Sequence, residues 1–295
     1  MGADCGAHRP PAQQGAAFGL IAGAGRFPLE IARAARAEGL RLCVAGLREL
    51  SDPVLAREFQ DAEDCEFAWF YLGELEALFR HWRSHGVRDA VMVGKVPKTF
   101  LWQRPEAFRP DATTKALLAG LANKSDDSLQ GAVAEALAQS GFRLLPQTAL
   151  TPGLCARPGA LGAVEPSPAH WQDIRFAWPI AKALGGLDVG QTVVVQDRAV
   201  LALEAVEGTD AAIARGCALA AESRGCCVVK VAKPGQSARF DLPTIGLATI
   251  RAMTPGCTLA VEAEATVVLQ REALLRAADA EGIAVVGISA EELDA

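Results

Sequence analysis

From Phe18 onward, short apolar runs rich in β-branched residues alternate with stretches whose apolar positions recur every three or four residues. That alternation predicts a parallel sheet with helices packed on its faces. "FGLIAGAG" reads as a strand running into glycines, "PLEIARAARAEG" as a helix closed by Gly39, and "RLCVAGL" as a second strand. "LGELEALFRHWRSHG" carries helical spacing with Gly86 as its stop, and "DAVMVGKV" reads as the third strand.

Three such units in about 80 residues predict a Rossmann-like N-terminal domain over residues 18–150. Two helical stretches complete it, "ATTKALLAGLAN" and "DDSLQGAVAEALAQSG". A tract rich in Pro and Gly begins at residue 146, and residues 151–168 read as a linker. Residues 169–295 read as a separate α/β domain of mixed topology. It comprises a helix in "AHWQDIRFAWPIAKALGG", two strands around a tight turn at Gln196-Asp197-Arg198, a helix from Asp210, the strand "CCVVKVA", a helix from Pro243 and closing segments "TLAVEA", "TVVLQ", "REALLRAADAEG" and "IAVVGI". Residues 1–17 read as a disordered tail. The predicted class is thus α/β, in two domains.

Composition narrows the function. The 295 residues are 51% hydrophobic and 22% charged, with a net charge of −6. An acidic chain lacks the basic footprint of a nucleic-acid protein, so any anionic ligand must be met by local charge. No apolar run approaches the roughly 20 residues that span a bilayer, and the first stretch lacks the apolar segment of a signal peptide. A cytoplasmic protein is expected, with peripheral membrane contact left open. The eight cysteines show no zinc-like spacing and read as small buried thiols in a reducing compartment.

Several loops carry candidate chemistry. Gly23-Ala24-Gly25-Arg26 follows the first strand and precedes a helix whose first turn holds Pro28. Backbone N–H groups and the helix dipole make such a turn an anion site, and glycine lets a phosphate come close. A ligand-free tight turn is the alternative. A dinucleotide fingerprint would need glycine in place of Pro28 and an acidic residue in place of Ala45, which counts against NAD. Gly94 and Lys95 lie just past another strand, where open parallel sheets bind ligands. Asp126 and Asp127 open a helix, where carboxylates either cap it or hold Mg²⁺ with a substrate phosphate. In "LEAVEGTD", Thr209 and Asp210 suit a helix start, whereas Glu207 has no such structural role. His81 and His85 sit four apart, but "HWRSH" lacks the zinc-protease glutamate and a third ligand, so they read as surface histidines.

The densest group is "KVAKPGQSARFDLPTIG", which gathers Lys230, Lys233, Arg239 and Asp241. Pro243 suits a first helical position with Leu242 as the cap, which leaves Asp241 one residue too early to cap. Its carboxylate then either pairs with the neighbouring cations or, buried with phosphate, orients water or ligates a metal.

In order, "GLIAGAGRFP", "GKV", "KSDDSL", "LDVGQTVVV", "LALEAVEGTD", "KPGQSARFDLPTIGLATI" and "LAVEAEATVVL" resemble the bacterial UDP-2,3-diacylglucosamine pyrophosphatases of the LpxI type, over about residues 18–289. The resemblance implies hydrolysis of the substrate pyrophosphate with a divalent cation such as Mg²⁺. Water attacks the α-phosphorus and the products are UMP and 2,3-diacylglucosamine 1-phosphate (lipid X), in lipid A biosynthesis. It puts the required aspartate on Asp241, for water activation or metal binding, and phosphate stabilisation on Lys230 and Lys233. Gly23, Ala24, Gly25, Arg26, Gly94 and Lys95 would line the N-terminal half of the cleft, and Gln191, Glu207, Thr209 and Thr244 the other half. Phe100, Leu101 and Trp102 are either apolar cover for the acyl chains or core. The expected partner is a nucleotide glycolipid and no nucleic acid, with a homodimer left open. Two positions depart from the pattern: Glu264 stands where glycine is expected and Gln270 where aspartate is commoner. Competing readings are a binding or regulatory protein that retains the cleft without cleaving, and an NAD-dependent oxidoreductase.

Overall fold

The computed structural model describes residues 17–121, 126–221 and 224–294. The expected tail, residues 1–17, falls almost wholly outside them. The chain forms two compact units. One comprises the residues up to Pro152 together with Arg239–Asp241, and the other comprises Gly153–Ala238 and the residues from Leu242 onward.

The N-terminal unit alternates strands and helices: β1 (Phe18–Ala22), α1 (Phe27–Ala37), β2 (Leu42–Leu47), α2 (Pro53–Phe59), β3 (Cys65–Phe70), α3 (Leu75–Ser84), β4 (Asp89–Val93), α4 (Lys98–Gln103), α5 (Ala112–Ala119), α6 (Asp126–Gln139) and β5 (Arg143–Leu144). The strands make a parallel sheet in the order β3-β2-β1-β4-β5. β1 and β2 are buried along their whole length, as strands covered on both faces must be. α1 turns Phe27, Leu29, Ile31, Ala32 and Ala35 to the sheet, and Gly39 ends it at a φ of 70°. A core of Trp82, Phe79, Leu78, Cys43, Leu137 and Phe142 fills one face, and Phe240 packs against it. "DAVMV" is the fourth strand and not the third. Sequence reading passed over "CEFAWF", whose four central residues are all half-buried, so it shows neither an unbroken apolar run nor a clean alternation.

The second unit contains β6 (Gly159–Ala160), α7 (Pro168–Gly186), β7 (Thr192–Gln196), β8 (Ala199–Leu203), α8 (Thr209–Leu219), β9 (Cys227–Lys230), β10 (Thr244–Ile245), α9 (Leu247–Arg251), β11 (Thr258–Glu262), β12 (Val267–Val268), α10 (Arg271–Ala280), β13 (Ala284–Ile288) and α11 (Ala290–Asp294). Its six-stranded mixed sheet runs β6-β13-β11-β9-β7-β8, and β10 pairs with β12 in a separate ribbon. The β7–β8 turn places Asp197 and Arg198 at positive φ, the geometry that suits a two-residue hairpin. The buried Asp173 accepts both their N–H groups at 3.1 and 2.7 Å. The helix expected from Pro243 does not form. The Pro243 carbonyl instead accepts the Val267 N–H at 2.8 Å and leads into β10, and α9 begins only after Gly246. Proline's fixed φ suits a strand entrance as well as a first helical turn, and the ladder to β12 decides between them.

Six cysteines are buried free thiols, whereas Cys155 is disulfide-bonded, which corrects the all-thiol reading. Among the described residues, no helix is long and apolar enough to cross a membrane.

Candidate active site

In the N-terminal unit the strand order reverses direction at β1, whose two neighbours are β2 and β4. The crevice outside the carboxyl ends at such a switch point is where open α/β sheets bind ligands. The structure brings Gly23, Ala24, Gly25, Arg26, Gly94 and Lys95 together there. Gly23 N–H donates to Val93 O at 2.8 Å, and Ala24 and Lys95 exchange backbone hydrogen bonds of 2.8 and 2.9 Å. A Cβ on Gly23 would lie 2.7 Å from the Gly94 carbonyl carbon, and one on Gly94 would lie 2.7 Å from that of Gly23. These two glycines therefore serve the contact between the two loops. Gly25 is different: its φ is 95° and its Cβ direction is open, so its backbone can be approached.

Two residues that sequence reading did not single out brace this end. Ser51 Oγ donates to Ala22 O at 2.6 Å and accepts the Leu47 N–H at 2.7 Å, tying the loop after β2 to the end of β1. Asp52 caps α2 through the Val54 N–H and pairs with Arg26 at 3.4 Å. Lys95 is exposed, as are Val96 and Trp102 beyond it, Trp102 by 69%. Trp102 is therefore not core, Phe100 is half-buried, and the Leu101 side chain lies outside the described residues. Asp126 and Asp127 open α6 as expected, but their side chains also lie outside the described residues.

In the second unit, Gln191, Thr209 and Lys230 come together around a residue that the expected site did not include, Glu204. Lys230 ends β9, is 2% exposed and donates to Thr209 Oγ1 at 2.7 Å. Thr209 in turn donates to Glu204 Oε1 at 2.8 Å, and the Gln191 N–H reaches Glu204 Oε2 at 3.3 Å. Burial pushes the Glu204 carboxyl upward, but the Lys230 charge and these hydrogen bonds outweigh it and hold the group below its ordinary value. The charge of Lys230 is thus already balanced by a buried carboxylate. The Gln191 side-chain oxygen is buried with no hydrogen-bond partner among the described residues, an acceptor open to a ligand donor.

Lys233 holds Asp188 at 2.7 Å, and its N–H donates to Gln236 Oε1 at 2.7 Å. Glu262, at the carboxyl end of β11, takes Lys182 at 2.6 Å and the Ala232 N–H at 2.7 Å, which pins the loop after β9. Lys182, Asp188 and Glu262 were invisible to motif reading, although the ends of parallel strands are where such residues collect. Glu207 stands apart from this group. It accepts from Arg215 at 2.7 Å and from the Ala205 N–H at 3.1 Å, so it has the structural role that sequence reading denied it. Thr244 opens β10 and donates to Leu242 O at 3.1 Å. Asp241 is half-buried on the segment Arg239–Asp241, grouped with the N-terminal unit.

The donor chemistry bears on the metal. Glu204, Glu262 and Asp188 are each tied to a lysine through charge or hydrogen bonds, and the only clusters of three candidate ligands among the described residues are of Cys and His. Mg²⁺ keeps several waters and needs only one or two carboxylates plus substrate phosphate oxygens.

The LpxI N-terminal domain model matches residues 17–154 and the LpxI C-terminal domain model matches residues 157–286. A curated relative, UDP-2,3-diacylglucosamine pyrophosphatase LpxI of Caulobacter vibrioides, is 37% identical over 288 residues, covering 93% of this chain and 98% of its own. The chain therefore belongs to the LpxI family.

Proposed function

We propose that this protein hydrolyses the pyrophosphate of UDP-2,3-diacylglucosamine to UMP and 2,3-diacylglucosamine 1-phosphate, in lipid A biosynthesis. The observation that carries the reading is the match over nearly the full length to a relative of that name. The residues suit the chemistry. A pyrophosphate diester carries negative charge that spreads over phosphoryl oxygens in the transition state, so catalysis rests on positioned cations and donors. Arg26 and Lys95, beside the open backbone of Gly25, offer such charge, whereas Lys230 and Lys233 are already engaged with Glu204 and Asp188.

Asp241 holds the attacking water and accepts its proton as the new oxygen bond forms at the α-phosphorus. The bond from that phosphorus to the bridging oxygen breaks, and the sugar 1-phosphate leaves. Mg²⁺, held by Asp241 and phosphate oxygens, would neutralise charge on the pyrophosphate. Exposed Trp102 and Val96 offer apolar contact for acyl chains.

The test is product formation from UDP-2,3-diacylglucosamine with and without Mg²⁺, beside Asp241→Ala. UMP and lipid X should appear only with the cation and an intact Asp241, while the variant still binds substrate. Turnover near wild type in Asp241→Ala would refute the assignment. Binding without release in the wild type would favour a regulatory protein. NAD has no finding in its favour, because Gly23 and Gly94 are accounted for by their contact with each other.

A further inference from the structure

His81 and His85 are not simple surface residues. Their rings lie on the last turn of α3 with centroids 4.5 Å apart. The third ligand that the sequence spacing lacked comes from a different element. Cys43 Sγ on β2 and one ring nitrogen from each histidine all lie within 4.8 Å of one another. Glu66 adds a carboxylate from β3, where it is the ladder partner of Cys43, and its Oε2 is 3.5 Å from His85 Nε2.

The hydrogen bonds around this group leave it short of a cation. His85 Nδ1 is 2.8 Å from the His81 carbonyl oxygen. A carbonyl can only accept, so Nδ1 carries a proton and Nε2, facing Glu66, is the nitrogen left to take a second proton or a metal ion. The other oxygen of Glu66 is taken by Arg41 at 2.7 Å. His81 Nε2 is buried with no hydrogen-bond partner among the described residues. Cys43 Sγ and one nitrogen from each ring thus converge, and the Glu66 carboxylate stands beside His85 as a fourth donor within reach. Outer-shell bonds of this kind, His85 Nδ1 to a carbonyl and Glu66 to Arg41, are what orient ligands at metal centres.

We propose that Cys43, His81, His85 and Glu66 form a structural zinc site that clamps α3 to β2 and β3. One thiolate, one carboxylate and two neutral imidazoles balance a divalent ion, and mixed S, N and O donors suit tetrahedral zinc while Mg²⁺ prefers six oxygens. Bonds of about 2.0–2.3 Å require Cys43 and the two rings to close by roughly 1 Å and the Glu66 carboxylate to turn in from beside His85. As the metal–sulfur bond forms, the Cys43 thiol releases its proton to solvent. Cys43 is the second residue of β2, whereas the candidate active-site loops lie at the carboxyl ends of these parallel strands, about 13 Å away at a strand's rise per residue. The site is therefore separate from the Mg²⁺ chemistry.

The test uses the full chain, stripped with chelator and titrated with Co²⁺ and then Zn²⁺. One equivalent of Co²⁺ should give the intense visible bands of a tetrahedral ion and a thiolate charge-transfer band, both bleached by Zn²⁺. His85→Ala, at a partly exposed position, should weaken Zn²⁺ by more than the roughly 10–100-fold that loss of an outer-shell partner costs. Cys43→Ala should abolish the charge-transfer band, and Zn²⁺ should raise the melting midpoint of the wild type only. The absence of a tetrahedral spectrum in the wild type would overturn the proposal. So would a spectrum unchanged in His85→Ala and lost in Cys226→Ala, which would move the ion to the buried Cys217, Cys226 and Cys257 cluster.

Discussion

Glu264 should be a worse residue than glycine at its own position. It lies in the turn between β11 and β12 at a φ of 60°, in the left-handed region, and its N–H donates to Ala156 O at 2.8 Å. Its side chain is exposed and makes no hydrogen bond or ion pair among the described residues. Nothing gained by the carboxylate therefore offsets the backbone cost, which for an L-residue is about 1–2 kcal/mol. Glycine removes that cost but brings about 0.5–1 kcal/mol of extra freedom in the unfolded chain. Glu264→Gly should thus stabilise by about 0.5–1 kcal/mol, or a rise of roughly 1–4 °C in melting midpoint. Glu264→Ala is the control, because it deletes the carboxylate and keeps the Cβ that makes the conformation costly. Guanidinium denaturation of the three proteins, followed by circular dichroism, makes the comparison. If Glu264→Gly is no more stable than wild type, or if Glu264→Ala gains as much, backbone strain is not what this position costs.

Two further variants examine the site. Lys230→Met removes the counter-charge of buried Glu204 and should cost about 3–5 kcal/mol at pH 7. In the wild type the depressed Glu204 carboxyl contributes stability that is present above the ordinary carboxylate range and is lost as pH falls through its lower folded value. In the variant burial is opposed only by the remaining hydrogen bonds and raises that carboxyl relative to wild type, so part of the lost stability should recover as pH falls toward 4. Denaturation midpoints at several pH values check this, and a loss under about 1 kcal/mol with no recovery would refute the pairing. Gly23→Ala inserts a Cβ 2.7 Å from the Gly94 carbonyl carbon, where backbone has to move. It should cost about 1–3 kcal/mol and most of the activity; a fully active, equally stable variant would show that the loops are not interlocked.

Local chemistry made much of this fold legible. β1, α1 and β2 were readable because full burial, a helical apolar face and Gly39 each leave a mark within a few residues. The β7–β8 hairpin was readable for the same reason, since a two-residue turn is specified by its own residues. Glu264 and Gln270 depart from the family pattern, and both stand at positive φ, where a glycine or a short polar residue is at ease. β3 was missed because its half-buried residues have no period, and Pro243 was misplaced because its ring permits two continuations.

The site is another matter. That the loops of Gly23 and Gly94 touch follows from β4 pairing with β1, and not from any property of either loop. That Glu204 neutralises Lys230, or that Cys43 meets His81 and His85, follows from which faces were buried against each other. Sequence by itself determined the α/β class, the glycine turns and the residue types that phosphate chemistry needs. Only the tertiary structure decided their partners, because strand order and charge pairing are settled by burial and hydrogen bonding between distant segments, while the periodicities of a sequence report only on neighbours along the chain.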